Sequence, residues 1–417
     1  MPNPSYVKLD PEALLRKLET EYGPLAFFTS KGEVKQLNER FFAELIAYEL
    51  SIIHEADEER FYVYNSVNGL LEVKSVHALK KLLSDRIRQA GQELSRYSGI
   101  CRLDSEHARR DIVSLLRGVV DKRGFFVNRP VALHCQNTML IWENGVFIPK
   151  KFSADFRSRN QLNVAYDPDA WAPRFLKELI SPALSEDDRQ LVRKMFGLFV
   201  LGRNLPQRFF ILIGPANTGK STLCLVAQGL IGEHNCAELR TAQLEGRFEM
   251  ARFVGKTLIY GADVAANFLM TEAAYRLKCI IGGDPLVGER KNSNEDFRFH
   301  GDKNAFVTTN VRLLMRMHGD LDVTAWRRRI VSVIFKREPP ARRIADFDRF
   351  LIETEGSGIL NYSLQGLRDY YRDDASIGDI VLSSEQHEPL EDGKPGVVCM
   401  LYGSKFAFSI LVDVGIG

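Results

Sequence analysis

Two hydrophobic patterns divide this chain, one with helical spacing and one in which short apolar runs alternate with helices. In roughly the first 120 residues, apolar positions recur every three or four residues in EALLRKLETEY, ERFFAELIAYELSII and VKSVHALKKLLSDRIRQAGQELSRY, which predicts amphipathic helices. The segment RFYVYNSVNGLLEV interrupts them with alternating apolar positions around Asn68-Gly69, which predicts a β-hairpin. Residues 1–125 are therefore expected to form a mixed, mostly helical domain.

After residue 125, the apolar runs become shorter. TMLIWENGVFIP contains two apolar runs joined by Glu143-Asn144-Gly145, a second hairpin signal, and the proline-punctuated YDPDAWAPRF follows. Helical spacing resumes in RFLKELISPAL and DDRQLVRKMFGLFVLG. We expect residues 126–205 to form a hairpin and a helical connector or collar.

After Pro206, strands and helices alternate: RFFILIG and KSTLCLVAQGLIG, KTLIYGAD and TEAAYRLKCIIGG, then NAFVTTN and RRRIVSVIF. This alternation predicts an α/β domain over residues 206–337, with a largely parallel sheet covered on both faces. Residues 338–417 predict a helical extension that weakens after Ile377, as a truncated element would.

Composition excludes several classes of protein. The 417 residues carry 56 basic and 54 acidic side chains, so no basic coat covers the whole surface, although a local polyanion site or a basic ring channel stays open. The six cysteines form no C-x-x-C pair, which argues against a zinc ribbon or a disulfide framework. Apolar runs fall short of the roughly 20 residues that span a bilayer, and the N-terminus is too charged for a signal peptide, so we expect a cytoplasmic protein with no membrane partner.

One glycine-rich segment carries a specific chemistry. It matches G-x-x-x-x-G-K-[ST] between a predicted strand and a predicted helix, which is the context of a phosphate-binding loop. The two glycines let backbone N–H groups point at phosphates, the lysine reaches the β- and γ-phosphates, and the serine hydroxyl binds Mg²⁺. A chance match is disfavoured by that context. The predicted cofactor-binding residues are Gly214, Pro215, Ala216, Asn217, Thr218, Gly219, Lys220, Ser221 and Thr222.

Two later strands end in polar side chains. Asp263 follows the KTLIYG run, where it could hold Mg²⁺ together with Ser221 and polarise a water, and Asn310 follows FVTT, where its amide could orient water against a γ-phosphate. A turn-capping Asp and an ordinary turn Asn are the alternatives.

Three arginines precede the last strand of this region. Arg328 and Arg329 could act as an arginine finger on the γ-phosphate of a neighbouring subunit. A solvated basic turn explains the same residues equally well.

The segments GPANTGKST, YGAD, LKCIIGGDPLVGERK, FVTTN and AWRRRIVSVIF, in this order, resemble the superfamily 3 helicases. More narrowly, the chain is similar to the helicase half of phage and plasmid primase-helicase proteins over roughly residues 40 to 375, including NVAYDPDAWAPRFLKELI and EGSGILNYSLQGL. The resemblance implies a three-layer P-loop AAA+ ATPase domain. It implies ATP and Mg²⁺ as cofactors, a ring that is a hexamer, single-stranded or forked DNA as partner, and a separate primase or polymerase.

The resemblance also assigns roles to residues. Lys220, Asp263, Asn310, Arg328 and Arg329 become the catalytic set, with either arginine as the finger. A hairpin between the metal strand and the sensor strand would grip the DNA backbone, which makes Arg290 and Lys291 the expected phosphate contacts. A charged turn is the alternative for those two residues, and Phe297 and Phe299 fit a hairpin core better than base stacking.

Two positions depart from the family. Thr218 stands where the primase-helicase family commonly has Asn, and Asp263 is followed by Val264 where many motor ATPases carry a second acid, so the general base stays open. The sequence therefore predicts an ATP-dependent DNA helicase of a phage, plasmid or other mobile element. A non-unwinding AAA+ origin-binding initiator or loader is one alternative. The helicase fragment of a primase-polymerase is another, although the N-terminal region shows no clustered acids for nucleotidyl transfer.

Overall fold

The computed structural model describes residues 11–127, 129–289, 296–311, 313–316, 320–336, 344–383, 386 and 398–400. The chain is a mixed α/β protein that divides into two compact units, Met1–Asn128 and Arg129–Gly417. The finer division of the second unit at residues 205 and 337 stays a prediction. In the described part of the chain, no helix is both long and apolar enough to cross a membrane.

The N-terminal unit packs helices around a small sheet of order β5-β4-β3-β6. Its elements are α1 (Pro11–Tyr22), β1 (Ala26–Phe28), β2 (Val34–Leu37), α2 (Glu39–Leu50), β3 (Ile52–Glu55), β4 (Arg60–Asn65), β5 (Leu70–Lys74), α3 (Val76–Glu93), α4 (Glu106–Val120) and β6 (Asp121–Lys122). The unit contains both helices and strands, and the predicted domain over residues 1–125 stays a prediction. The helix predicted from ERFFAELIAYELSII ends early, because Ser51 takes a left-handed conformation (φ 47°) and Ile52 begins β3.

The C-terminal unit begins with a three-stranded antiparallel sheet and continues into a parallel one. Its first elements are β7 (Ala132–His134), β8 (Met139–Glu143), β9 (Val146–Lys150), a π-helical segment Phe175–Ile180, α5 (Ser181–Ala183) and α6 (Glu186–Leu201). Both predicted hairpins are present, since β4 pairs with β5 and β8 pairs with β9. In the second hairpin, Asn144 (φ 50°) and Gly145 (φ 83°) supply the two positive φ angles that a tight type I′ turn requires.

The remaining elements build the parallel sheet and its flanking structure. They are β10 (Phe209–Ile213), α7 (Lys220–Ile231), β11 (Cys236–Glu238), β12 (Leu258–Gly261), α8 (Ala273–Gly282), β13 (Pro285–Gly288), β14 (Phe297–His300), β15 (Asn304–Thr309), β16 (Leu314–Arg316), α9 (Asp320–Arg329), β17 (Ile330–Ile334), α10 (Phe347–Ile377) and β18 (Val398–Met400). The five-stranded sheet has the order β11-β12-β15-β10-β17, and every pair in it is parallel.

Alternate residues of the parallel strands enter two separate apolar cores, one on each face of the sheet. In β10, Phe210 and Leu212 join the core that α6, α7 and α10 cover, whereas Phe209 and Ile211 join the core that α8 and α9 cover. A strand that is buried on both faces reads as a continuous apolar run, as RFFILIG does. The predicted parallel sheet with both faces covered is therefore present.

Helices α6 and α10 approach so closely that glycines replace side chains at their contact. A Cβ atom on Gly366 would lie 1.8 Å from the carbonyl oxygen of Arg193, and one on Gly197 would lie 2.4 Å from the backbone nitrogen of Leu367. We expect Gly366→Ala to lower the free energy of unfolding of the C-terminal unit by about 3 kcal/mol. Separating two backbones costs more than the gain of about 1 kcal/mol in helix propensity.

Chemical denaturation of the full chain measures this effect. Gly118→Ala in α4 is the matched control, because a Cβ atom at Gly118 meets no heavy atom of the described residues within 4 Å. The control should leave stability equal or slightly higher. An equally mild effect of Gly366→Ala would contradict the close packing of α6 and α10.

Candidate nucleotide-binding site

The glycine-rich loop lies where the order of the sheet reverses. From β10 the chain crosses to β11 at one edge, and from β15 it crosses to β17 on the other side of β10. Ile213 pairs with Thr309, so Gly214 and Asn310 both emerge at the carboxyl ends of adjacent strands. Sheets of this kind bind ligands in the crevice outside such a reversal.

The loop backbone depends on its two glycines. A Cβ atom on Gly214 would lie 2.4 Å from the carbonyl oxygen of Phe335, and Gly219 has a φ of 103° directly before α7. Asn217 also takes a positive φ of 64°. The glycine spacing therefore reflects one close backbone approach and one left-handed residue at the N-terminus of a helix.

Lys220 opens α7 and turns its side chain back into the loop. Its Nζ donates to the carbonyl oxygens of Gly214 and Pro215, both at 2.7 Å, and only 5% of the residue is exposed. Burial lowers the pKa of the Lys220 ammonium, and the carboxylate of Asp263 partly opposes that shift. A buried ammonium in electrostatic contact with a carboxylate on the neighbouring loop is suited to meeting further negative charge.

Asp263 and Asn310 contact each other directly. The amide Nδ2 of Asn310 donates to Oδ1 of Asp263 at 2.8 Å, and the backbone N–H of Asp263 donates to Oγ1 of Thr308 at 2.9 Å. Asp263 has a positive φ of 49°, and both side chains are exposed at the carboxyl edge of the sheet. The structure thus brings together Lys220, Asp263 and Asn310, which sequence reasoning selected from three separate segments.

Removing the Asn310 amide should impair turnover without preventing nucleotide binding. In Asn310→Ala the Asp263 carboxylate loses the donor that orients it, so we expect steady-state ATP hydrolysis to fall about 10²-fold while titration with a fluorescent ATP analogue is unchanged. Asn267→Ala, at an exposed position of the loop after β12, is the matched control. Full activity in Asn310→Ala would remove this residue from the catalytic set.

The hydroxyl-bearing residues of the loop differ in environment. Thr218 is 1% exposed and its Oγ1 donates to the carbonyl oxygen of Pro215 at 2.9 Å, so it braces the loop. Ser221 is exposed in the first turn of α7. Among the described residues, no group of three or more His, Cys, Asp or Glu side chains could hold a metal ion. Asp263 and Ser221 offer one carboxylate and one hydroxyl. A Mg²⁺ ion held by these two groups would need further oxygen ligands, such as phosphates and water.

The two finger candidates lie at the amino ends of the parallel strands, whereas the loop that carries Lys220 lies at their carboxyl ends. Ile330 pairs with Phe209, so Arg328 and Arg329 precede β17 at its amino end. The five residues of β10 separate that end from Gly214, which is roughly 17 Å at about 3.3 Å per residue. Within one chain, these arginines are therefore not brought to the loop.

The structure adds residues to this region that sequence reasoning missed. Oε1 of Gln207 accepts from Nη2 of Arg328 at 2.8 Å, while Nε2 of Gln207 donates to the carbonyl oxygen of Gly282 at 2.7 Å. Gln207 thus joins Arg328 to the end of α8, where the β13–β14 hairpin begins. Arg208 donates to the backbone carbonyl of Arg328 and pairs with Asp379. The sequence signal that could have identified Gln207 and Arg208 is their position as two polar residues directly before the apolar run of β10.

The β13–β14 hairpin is the element from which DNA contacts were expected. Arg290 and Lys291 lie outside the described residues. Phe297 and Phe299 are 0% and 5% exposed with their rings stacked at 6.0 Å, so the interpretation as hairpin core is confirmed. Val287 and Arg298, paired in register, are exposed on the other face.

Comparison with known proteins gives a short family match and a broad likeness of fold. Residues 212–329, from β10 to α9, match DUF5906, a family of unknown function. An uncharacterized mitochondrial protein of Marchantia polymorpha, ymf21, is 33% identical over 78 residues, which is 18% of this chain and 43% of that protein. The chain thus matches less than half of the length of that relative.

The fold is similar to that of one solved structure of the NrS-1 C-terminal region. One apo structure of this region aligns over 79% of this chain and 71% of its own, with a TM-score of 0.50 and 13% identity. Another apo structure, the A form of the same region, gives a TM-score of 0.49 at 12% identity. At this level of identity, the first alignment supports a shared mixed α/β architecture and nothing finer.

Proposed function

We propose that this chain is an ATP-dependent DNA helicase, the ring-forming replicative motor of a phage, plasmid or other mobile element, which translocates on single-stranded DNA. The observation that carries the proposal is the meeting of Lys220, Asp263 and Asn310 at the reversal point of a five-stranded parallel sheet. A glycine-rich loop, an acid and a polar sensor on three neighbouring loops are what phosphoryl transfer needs.

The donors at this edge suit ATP and Mg²⁺. Gly214 and Gly219 give the loop the backbone conformation that would aim its N–H groups at phosphates, and Lys220 would exchange its carbonyl contacts for phosphate oxygens. Ser221 and Asp263 would hold Mg²⁺, which supplies charge neutralisation between the β- and γ-phosphates. Asn310 would keep the Asp263 carboxylate in position and meet the attacking water.

The position of the arginines supports a shared site. Because Arg328 and Arg329 lie across the sheet from Lys220, they can act on a γ-phosphate only if it is bound by another copy. Head-to-tail repetition of that contact closes a ring, which we propose to be a hexamer. The link from Arg328 through Gln207 to Gly282 would carry movement of the finger to the β13–β14 hairpin, which would grip DNA through Arg290 and Lys291.

Strand displacement on a forked duplex tests the proposal. The wild-type chain should release the labelled strand with ATP and Mg²⁺, and Lys220→Ala should not. ATP turnover without any displaced strand, under conditions where the ring assembles, would favour an origin-binding initiator or loader. Absence of ATP turnover in the assembled wild-type protein would overturn both functions.

A further inference from the structure

A glutamine just before β10 joins the end of the helix that carries the finger candidates to the end of α8. Oε1 of Gln207 accepts from Nη2 of Arg328 at 2.8 Å, and Nε2 of the same side chain donates to the carbonyl oxygen of Gly282 at 2.7 Å. Arg328 lies in the last turn of α9, and Gly282 is the last residue of α8. One planar amide therefore contacts both helix ends, with its acceptor on one and its donor on the other.

The backbone at Gln207 is held in an uncommon conformation. Gln207 has a φ of 55°, in the left-handed region that a non-glycine residue rarely takes. Its N–H donates to the carbonyl oxygen of Asn204 at 3.1 Å. The side chain of Asn204, which is 4% exposed, accepts from the N–H of Arg208 at 2.9 Å and donates to its carbonyl oxygen at 2.8 Å. Such a backbone persists only where its surroundings enforce it, so this turn fixes the point from which the Gln207 side chain extends.

The main chain of Arg328 is held separately from its side chain. Nη1 of Arg208 donates to the backbone carbonyl oxygen of Arg328, and Nη2 of Arg208 pairs with Asp379. Arg208 is 5% exposed, and β17 begins two residues after Arg328. The contacts of Arg208 and the start of β17 thus fix the main chain of Arg328, whereas the contact of Gln207 acts on its exposed guanidinium.

The carbonyl oxygen that Gln207 reaches lies where the β13–β14 hairpin joins α8. Gly283, directly after Gly282, has a φ of 82° and donates its N–H to the carbonyl oxygen of Gly301 at 3.1 Å. The N–H of Gly301 in turn donates to the carbonyl oxygen of Asp284 at 3.0 Å. Because these bonds tie both strands of the hairpin to the end of α8, a movement of the hairpin at this junction also moves the Gly282 carbonyl.

The two ends of the Gln207 amide cannot respond independently. Oε1 and Nε2 lie in one rigid plane, so a rotation that preserves the hydrogen bond to Gly282 changes the direction in which Oε1 meets Arg328. The main chain of Arg328 is fixed, so the change in direction acts on its guanidinium. The orientation of the guanidinium and the position of the hairpin junction are therefore linked through one side chain.

We propose that Gln207 is a positioning residue that couples the binding of ATP to the binding of DNA. This inference rests on the proposed function, in which Arg328 meets a γ-phosphate held by another copy and the hairpin grips DNA. Binding of that phosphate orients the Arg328 guanidinium, and Gln207 passes the change to Gly282 and the hairpin. Coupling between two binding sites is reciprocal, so DNA on the hairpin changes the affinity for ATP by the same factor.

Fluorescence anisotropy of a labelled (dT)₂₀ oligonucleotide, with and without a non-hydrolysable ATP analogue and Mg²⁺, measures this coupling on the full chain. In the wild type, the analogue should change the dissociation constant for DNA by about fivefold or more. Gln207→Glu keeps an acceptor for Arg328 but loses the donor to Gly282, so the change should fall below about twofold. Gln92→Glu, the same substitution at an exposed position of α3, is the matched control and should keep the full change.

A second variant separates positioning from folding. Gln207→Met keeps the length of the side chain and loses both hydrogen bonds, so it should also abolish the coupling. Its ATP turnover should be lower than that of Gln207→Glu, because methionine offers Arg328 no comparable acceptor. Gln207 is half-buried, so both variants should unfold cooperatively on heating.

The outcomes distinguish this inference from the proposed function. If the wild type hydrolyses ATP and displaces a strand, but the coupling is absent from it or survives in both Gln207 variants, the inference alone fails. Failure of both variants to fold would assign Gln207 a structural role and would also overturn the inference. A wild-type chain that binds no DNA or hydrolyses no ATP when assembled would overturn the proposed function, and the inference with it.

Discussion

ATP hydrolysis is expected to fall by about 10³-fold when Lys220 is replaced by alanine. The Lys220 ammonium is the cation that the structure places inside the glycine-rich loop, 2.7 Å from two of its carbonyl oxygens. Without it, residues 214–222 offer no cationic side chain to the charge that develops on the β- and γ-phosphates. A coupled assay for released phosphate on the assembled protein measures the loss.

Replacing Lys220 by alanine or methionine should leave the fold intact. Burial lowers the pKa of Lys220, so the charged ammonium is less stable in the folded chain than in the unfolded one. For a lysine with a lowered folded pKa, this penalty is present at neutral pH and fades as pH rises through that pKa. Lys220→Met, which keeps most of the aliphatic stem, should therefore unfold at an equal or higher temperature than the wild type at pH 7.

Two further measurements isolate the effect at Lys220. Lys177→Ala, at an exposed position of the π-helical segment, controls for loss of a lysine and should keep full activity. Binding of a fluorescent ATP analogue should weaken in both Lys220 variants. If hydrolysis persisted at the wild-type rate in Lys220→Met, the assignment of residues 214–222 as a phosphate-binding loop would fail.

The local parts of the fold could be predicted because their signals are contained in short segments. Asn144-Gly145 specifies a turn with two positive φ angles, and the run from Phe209 to Ile213 is apolar because it is buried on both faces. The glycine-rich loop combines such signals within nine residues. These features depend on neighbours in sequence, so periodicity and turn chemistry identify them.

Features that join distant segments could not be predicted. The hydrogen bond between Asn310 and Asp263 depends on β12 and β15 being adjacent, which no local pattern specifies. Gln207 likewise gains its role from a partner on α9. The proposed roles of the site residues in catalysis stay predictions.

Replacing both finger candidates should stop hydrolysis but preserve nucleotide binding. An arginine finger contributes about 10³–10⁵-fold to turnover, so Arg328→Ala combined with Arg329→Ala should abolish measurable release of phosphate. The loop at Lys220 is untouched, so titration with a fluorescent ATP analogue should give the wild-type affinity. If nucleotide binding were lost together with turnover, the double substitution would have disrupted the nucleotide site, and the result would not identify an arginine finger.

The environments of the two arginines differ, which distinguishes the finger from its support. The side chain of Arg328 is exposed and donates to Gln207, whereas Arg329 is half-buried and donates to the carbonyl oxygen of Ala325 at 3.0 Å. Burial and the adjacent Arg328 lower the pKa of Arg329, and Asp284 opposes that shift. Arg328→Ala alone should therefore reproduce most of the loss, while Arg329→Ala should leave most of the turnover in place.

Mixing two inactive variants decides whether the finger acts between copies. Arg328→Ala with Arg329→Ala keeps an intact loop, and Lys220→Ala keeps intact arginines, so an interface that joins the first to the second has every required group. In an equal, randomly mixed ring, about one quarter of the head-to-tail interfaces are of this kind. Hydrolysis should recover to at most about that fraction of the wild-type rate if the interfaces work independently. Mixed rings that show no recovery, with mixing verified by native mass spectrometry, would argue against a finger acting in trans and against the ring built on it.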